Sequence, residues 1–275
     1  MTGRTVLVTG ASDGIGAETA RVLAARGATV HVTGRSADKL RPVAEAVGTE
    51  PLIADFSRLS DVRRLAEQVG ERVGTLDVLM NNAGGTFVPS KKTPDGHEPN
   101  FQVNHLAPFL LTHLLRPQLA AAGSSLVVNT SSVGNLMGKI VLDDLDYEHR
   151  RAIELRAYGT GKLMNIAFTR GIAQRWTQDG ISSVAVHPGP VGSSFGRDSW
   201  FVGLAYRSPL KRFATISVPD GAAPLIALAE RGPDREVDGR YFSRFNPDGR
   251  ENKQARDQSI IDGLWERSAT LVGVG

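Results

Sequence analysis

The chain has 275 residues, 41% hydrophobic and 22% charged, enough for one large α/β domain with a buried core. Lys and Arg outnumber Asp and Glu by only 32 to 29, with no basic block or aromatic-interleaved stripe, which argues against a nucleic-acid partner. There is no cysteine, so disulfides, thiolate catalysis and cysteine-ligated metal are excluded, and no apolar run approaches the ~20 residues of a membrane span.

Met1-Thr2-Gly3-Arg4 leads straight into Thr5-Val6-Leu7-Val8-Thr9. That β-branched run reads as a buried strand and is too short for a signal-peptide core, so a cytoplasmic protein is expected. Gly10-Ala11-Ser12-Asp13-Gly14-Ile15-Gly16 follows, and then an Ala-rich helical pattern through Ala25. Strand, glycine turn and helix N-terminus in that order make an anion site, with glycines letting a pyrophosphate approach the backbone. The spacing is G-x-x-x-G-x-G rather than the general G-x-G-x-x-G.

Ala28 to Thr33 reads as a second strand, ending in Gly34-Arg35-Ser36. An acidic residue here would accept hydrogen bonds from an NAD ribose, and a carboxylate would repel a 2′-phosphate. Arg35 instead offers a guanidinium that can pair with that phosphate, favouring NADP(H); the alternative is a surface residue before a helix starting near Ser36. Leu52-Ile53-Ala54 is a third strand ending at Asp55-Phe56. Asp55 is placed either to accept from an adenine amino group or to cap the helix from about Leu59 to Val73. Leu76 to Met80 is a fourth strand, ending in Asn81-Asn82-Ala83-Gly84-Gly85, a turn whose side chains can tie down neighbouring backbone.

A loop from Thr86 to Pro99 precedes a helix expected from about Asn100 to Ala121, where Pro108 would interrupt regular hydrogen bonding near Asn104. Ser125 to Asn129 is a fifth strand, ending in Thr130-Ser131-Ser132. Its hydroxyls face the crevice where open α/β sheets bind ligands. A long helical run is expected from about Arg151 to Gln178, then a sixth strand from Ile181 to Val186 ending in His187-Pro188-Gly189-Pro190-Val191. Residues 192–218 break down into Gly, Ser, Pro and aromatics, among them Phe195, Trp200, Phe201, Tyr206 and Phe213. Such a stretch suits a lid, its aromatics either meeting an apolar substrate or closing the core. A helix from Pro219 to Glu230, a last strand near Tyr241-Phe242 and one more helix between about Glu251 and Val272 complete a doubly wound parallel sheet in a single domain.

Within the long helix, Tyr158 and Lys162 stand at i and i+4 and share a face. The ammonium favours phenolate, lowering a pKa of about 10. A phenol so tuned can exchange a proton with a carbonyl or alcohol oxygen. The same spacing also suits a half-buried tyrosine beside a solvated lysine.

These motifs, in this order, resemble the short-chain dehydrogenase/reductase superfamily over about Thr5 to Tyr241. The matching residues are Thr9-Gly10, Gly14-Ile15-Gly16, Asp55, Asn81-Asn82-Ala83-Gly84, Asn104, Ser132, Tyr158, Lys162 and Pro188-Gly189. The resemblance implies a Rossmann-type seven-stranded parallel sheet without a separate substrate domain. A long interval between Ser132 and Tyr158, with Val141 to Glu148 inserted, looks like the retinol-dehydrogenase-like branch, which commonly uses NADP(H). The branch usually reads Ser-Lys where this chain has Gly161-Lys162, and Ser193 is the nearest match to its usual threonine.

By this resemblance Tyr158 is the general acid in reduction, Lys162 lowers its pKa and holds the nicotinamide ribose, Ser132 donates to the substrate oxygen, and Asn104 supports a water chain from Lys162. Cofactor contacts are implied at Gly10, Ser12, Asp13, Gly14, Ile15, Gly16, Arg35, Asp55, Phe56, Asn82, Ala83, Gly84, Tyr158, Lys162, Pro188, Gly189 and Val191. His105, His113 and His187 read as structural, and no metal-ligand cluster is evident. The expectation is an NADP(H)-dependent oxidoreductase for an apolar small molecule, working as a homodimer or homotetramer. A carbon–carbon double-bond reductase, a redox-silent nucleotide-binding scaffold, and a nucleotide-sugar dehydratase or epimerase are alternatives on related folds.

Overall fold

The structure is a computed structural model, described here for residues 1–89, 91–191 and 215–275. Seven strands form one parallel sheet: β1 (Thr5–Thr9), β2 (Thr29–Gly34), β3 (Leu52–Ile53), β4 (Val78–Asn81), β5 (Ser125–Thr130), β6 (Ile181–His187) and β7 (Tyr241–Ser243). Their order across the sheet is β3-β2-β1-β4-β5-β6-β7. The helices are α1 (Gly14–Ala25), α2 (Ala37–Val47), α3 (Leu59–Arg72), α4 (Pro99–Phe101), α5 (Ala107–Leu114), α6 (Arg116–Ala121), α7 (Glu154–Arg175), α8 (Val218–Arg231) and α9 (Gln258–Val272).

Side chains alternate across a strand, and here both faces are covered. Val6, Val8, Val30, Val32, Val78, Met80, Leu126 and Val128 pack on one face with Leu23, Leu40 and Leu225 of α1, α2 and α8. Leu7, Leu79 and Val127 pack on the other with Leu65, Phe109, Ile166 and Leu264 of α3, α5, α7 and α9. That two-sided burial is why β1, β4 and β5 carry consecutive apolar residues rather than an alternation. The chain steps outward from β1 to β3 and returns at β4 on the opposite side. The carboxyl ends of β1 and β4 therefore open a crevice at the point of reversal.

Some expected boundaries are revised. The long helix is shorter at both ends and is followed by a 3₁₀ turn at Thr177–Asp179. The helix expected from Asn100 to Ala121 is broken: a π-helical stretch, Gln102–Leu106, separates α4 from α5, and a second break at Leu115 precedes α6. Pro108 has no N–H for the carbonyl four residues back at Asn104, and Pro117 marks the second break. Asp55 does not cap α3. Its Oδ1 accepts from the Ser57 N–H at 2.9 Å, and the Leu59 N–H at the helix start donates to Asp95 at 2.7 Å.

The inserted segment is tied on both sides. Asp146 accepts from the Glu98 N–H at 2.8 Å and pairs with His97 Nδ1 at 2.9 Å, while Tyr147 Oη bonds Thr160 Oγ1 at 2.9 Å. The expected lid falls almost wholly outside the described residues, and so do its five aromatics. Where description resumes, Ile216 bridges to Val191. Among the described residues no helix is long and apolar enough to cross a membrane.

Candidate active site

A cleft of about 780 Å³ runs along the carboxyl ends of the central strands. One wall is the turn between β1 and α1. Gly10 has φ +66°, a conformation glycine adopts without steric cost, and a Cβ on it would lie 2.7 Å from Ala83 Cα. A Cβ on Gly16 would lie 2.4 Å from the Gly10 carbonyl. The turn is thus too tight for side chains at either position. Asn82 braces it from β4: its Nδ2 donates to the Thr9 carbonyl at 2.9 Å, and the Asn82 and Ala83 N–H groups donate to Thr9 Oγ1 at 3.0 and 2.9 Å. Asp13 caps α1 by accepting from the Gly14 N–H at 2.7 Å.

At the far end Arg35 is exposed beside the start of α2. Ser36 stands at the N-cap but makes no side-chain capping bond. Lys39, in the first turn of the same helix, lines the cleft with Arg35. Two cations and an uncapped helix N-terminus fit a phosphate here. At the glycine turn the main chain of Gly10 to Gly16 lines the cleft with little side-chain cover, which lets a pyrophosphate approach the backbone, so the residues present match an anionic dinucleotide.

The chemical end of the cleft is built from β5 and α7. Ser131 and Ser132 are distinguished by geometry. Ser131 is buried and its hydroxyl donates to the Lys162 main-chain carbonyl at 2.7 Å. Ser132 lines the cleft, its Oγ accepting from the Gly134 N–H at 3.1 Å, which leaves the hydroxyl proton to donate. A Cβ placed on Gly134 would lie 3.2 Å from Tyr158 Cε1 and 3.5 Å from Ser132 Oγ, so phenol ring and serine flank one spot. Lys162 Nζ lies 5.8 Å from the Tyr158 ring centroid and donates to the Thr130 carbonyl at 3.1 Å. Burial pulls its pKa down to about 8, so it remains a cation at neutral pH.

Every expected cofactor-contact residue lines this cleft, and so do Ser132, Tyr158 and Lys162. Asn104 stands behind the wall, fully buried. Its Nδ2 donates to the Gly85 and Asn100 carbonyls at 2.9 and 3.1 Å, and its Oδ1 accepts from the Gly85 N–H at 3.1 Å. It nevertheless approaches the lysine: a Cβ on Gly84 would be 2.5 Å from Asn104 Oδ1 and 3.0 Å from Lys162 Nζ. Gly161 also has a steric reason, since a Cβ there would lie 2.8 Å from the Asn100 carbonyl. The helix therefore runs closer to α4 than a serine would allow.

Lys39, Phe87, Val103 and Val133 line the cleft without having been singled out in the sequence. Lys39 could have been found from its place in the first turn of a helix that starts beside Arg35; the apolar three carry no local signal. His105 is fully buried, bonded to Ser268 Oγ at 2.9 Å, its pKa pushed by burial to about 3. His113 bonds the Phe109 carbonyl at 3.0 Å, and burial takes its pKa to about 4. Both sit among Phe109, Phe168, Trp176 and Trp265, away from the cleft. His187 does line the cleft. Among the described residues no three His, Asp or Glu side chains are grouped to hold a metal.

The family model for short chain dehydrogenases matches residues 4–200. The chain belongs to the short-chain dehydrogenase family. This short-chain dehydrogenase is 38% identical to mouse retinol dehydrogenase 12 over 280 residues, 99% of this chain and 87% of the relative. It is 38% identical over 279 residues to a Streptomyces sp. (strain C5) protein named "Putative daunorubicin C-13 ketoreductase DnrU", covering 98% of this chain and 93% of the relative. A solved short chain dehydrogenase from Burkholderia cenocepacia J2315, in complex with NADP, superposes with a TM-score of 0.67 at 27% identity, over 88% of this chain and 96% of that one. The similarity places the chain with the retinol-dehydrogenase-like branch as an oxidoreductase of alcohol and carbonyl groups.

Proposed function

We propose that this dehydrogenase interconverts an alcohol with a ketone or aldehyde on an apolar small molecule, using NADP(H) in preference to NAD(H). The observation that carries the reading is the meeting of Tyr158, Lys162 and Ser132 at one end of a cleft whose other end holds Arg35 and Lys39.

The bound nicotinamide supplies or accepts the hydride. In reduction the Tyr158 phenol gives its proton to the substrate oxygen, and in oxidation it takes that proton back. The buried Lys162 ammonium favours the phenolate left behind and holds its own place through the Thr130 carbonyl. Ser132 donates a hydrogen bond to the same substrate oxygen as negative charge builds there. Asn104, packed with Lys162 against Gly84, supports the water path that returns a proton to that end of the cleft.

The preference for NADP(H) is supported by the guanidinium where an NAD-binding chain would carry a carboxylate, by Lys39 beside it, and by the NADP-bound relative. The apolar substrate is supported by Phe87, Val103 and Val133 along the cleft, with Val133 55% exposed, and by the names of the relatives, a retinol dehydrogenase and a ketoreductase. The test is nicotinamide absorbance kinetics with NADPH and NADH against apolar aldehydes, ketones and alcohols. NADPH-dependent carbonyl turnover is expected. A product reduced at a carbon–carbon double bond, or tight NADPH binding with no turnover anywhere on the panel, would contradict the reading.

A further inference from the structure

The segment after β7 reaches back to the loop that carries Ser132. Asn135 is fully buried in the 3₁₀ turn Val133–Met137. Its Nδ2 donates to the Ser132 carbonyl at 2.8 Å, and its main-chain N–H donates to the same oxygen at 3.0 Å. Its Oδ1 accepts from the Asn252 N–H at 2.9 Å. These partners fix the amide one way round, donor towards Ser132 and acceptor towards Asn252. Asn252 Nδ2 in turn donates to the Gly138 carbonyl at 2.9 Å. Gln254 grips the far end of the loop, accepting from the Ile140 N–H and donating to the Ile140 carbonyl, both at 2.9 Å.

The gripping segment is itself anchored to α7. Arg170 donates to the Ala255 carbonyl at 2.7 Å and to the two Glu251 carboxylate oxygens at 2.8 and 3.1 Å, with the Glu251 side chain only 4% exposed. A chain of contacts thus runs from α7, the helix of Tyr158 and Lys162, through residues 251–256 and Asn135, to the backbone of Ser132. All of 251–256 lies beyond the stretch matched by the family model.

A hydroxyl that stabilises a developing charge must be held to within a fraction of an ångström, and a loop of irregular backbone does not achieve this alone. We propose that Asn135 is a positioning residue for Ser132 and that residues 251–256, through Asn252, clamp it in register with Tyr158. The proposal rests on the reading of Ser132 as donor to the substrate oxygen.

The test measures kcat, KM and NADPH affinity for Asn135→Ala and Asn252→Ala, each alone and combined with Ser132→Ala. Asn135→Ala is expected to lower kcat by about ten- to a hundredfold while NADPH Kd stays within about twofold. Asn252→Ala keeps the main-chain N–H that meets Asn135 but removes the side-chain bonds to the Gly138 carbonyl and the Gln254 N–H that seat it, and is expected to lower kcat about threefold or more in the same pattern. In the Ser132→Ala background either change is expected to cost less than about twofold, because the group being positioned is gone. An equal loss in both backgrounds is the mark of a merely structural role and overturns the proposal, as does parental kcat in both asparagine variants. Parental turnover by Ser132→Ala alone would instead remove the reading of Ser132. Should Asn135→Ala not fold, Asn252→Ala, at a half-buried position with the Asn135 amide intact, carries the same comparison.

Discussion

At the residue scale the proposed chemistry rests on one phenol, Tyr158, and the Lys162 cation 5.8 Å from its ring centroid. Tyr158→Phe keeps the ring that packs against Gly134 and deletes the proton. It is expected to lower kcat by about 10²- to 10⁴-fold with NADPH Kd unchanged, measured by steady-state kinetics and fluorescence titration. Lys162 gives a prediction about stability. Its folded pKa is about 8 against an ordinary 10.5, because burial penalises the charge. Between those values the unfolded chain binds more protons than the folded one, so this group's penalty is complete below pH 8 and is relieved as pH rises towards 10.5. Urea unfolding of the unliganded protein should therefore show the stability of the parent gaining on that of Lys162→Met across that window. A pH-independent difference would contradict it. The i, i+4 spacing gave only a shared face and left a solvated lysine open; the lysine's burial and its bond to Thr130, which remove that alternative, depend on β5 lying alongside α7.

At the scale of the elements, the central strands were legible because burial on both faces leaves them short apolar runs bounded by turn residues, β1 as Thr5-Val6-Leu7-Val8-Thr9 most plainly. The glycine turn was legible because strand, glycines and helix follow one another directly. The Asn100 to Ala121 region was only half legible. Pro108 announced a break, whereas its π-helical form, within which Asn104 bonds the Gly85 and Asn100 carbonyls, had no local signal. The cap of α3 was not legible: of the two roles open to Asp55 the capping one falls, because the partner of the Leu59 N–H, Asp95, stands 36 residues away in sequence. The turn also yields a prediction. Gly16→Val places a side chain 2.4 Å from the Gly10 carbonyl, and such overpacking costs about 1–3 kcal/mol. NADPH affinity should fall about tenfold or more, read by titration, while helix content by circular dichroism is kept.

At the scale of the whole molecule, the cleft gathers residues from the carboxyl ends of β1, β2, β3, β4, β5 and β6, spread across most of the sequence. The motif residues could be read one by one in advance. Their apolar neighbours Phe87, Val103 and Val133 could not, since nothing in their own segments sets them apart from core. On the proposed reading, cofactor choice belongs to this scale, because it would depend on charge at the end of the cleft remote from the chemistry. Arg35→Asp should shift the NADPH-to-NADH ratio of kcat/KM towards NADH by about a hundredfold, of which loss of the guanidinium alone accounts for about tenfold. An unchanged ratio would remove Arg35 from the account.

The most direct test of the central claim follows a labelled hydride. NADPH carrying deuterium at the reactive nicotinamide carbon is incubated with an apolar aldehyde or ketone and either the parent or Tyr158→Phe. The account predicts deuterium on the carbinol carbon of the product with the parent and almost none with the variant; label arriving at that carbon equally fast in both would contradict it.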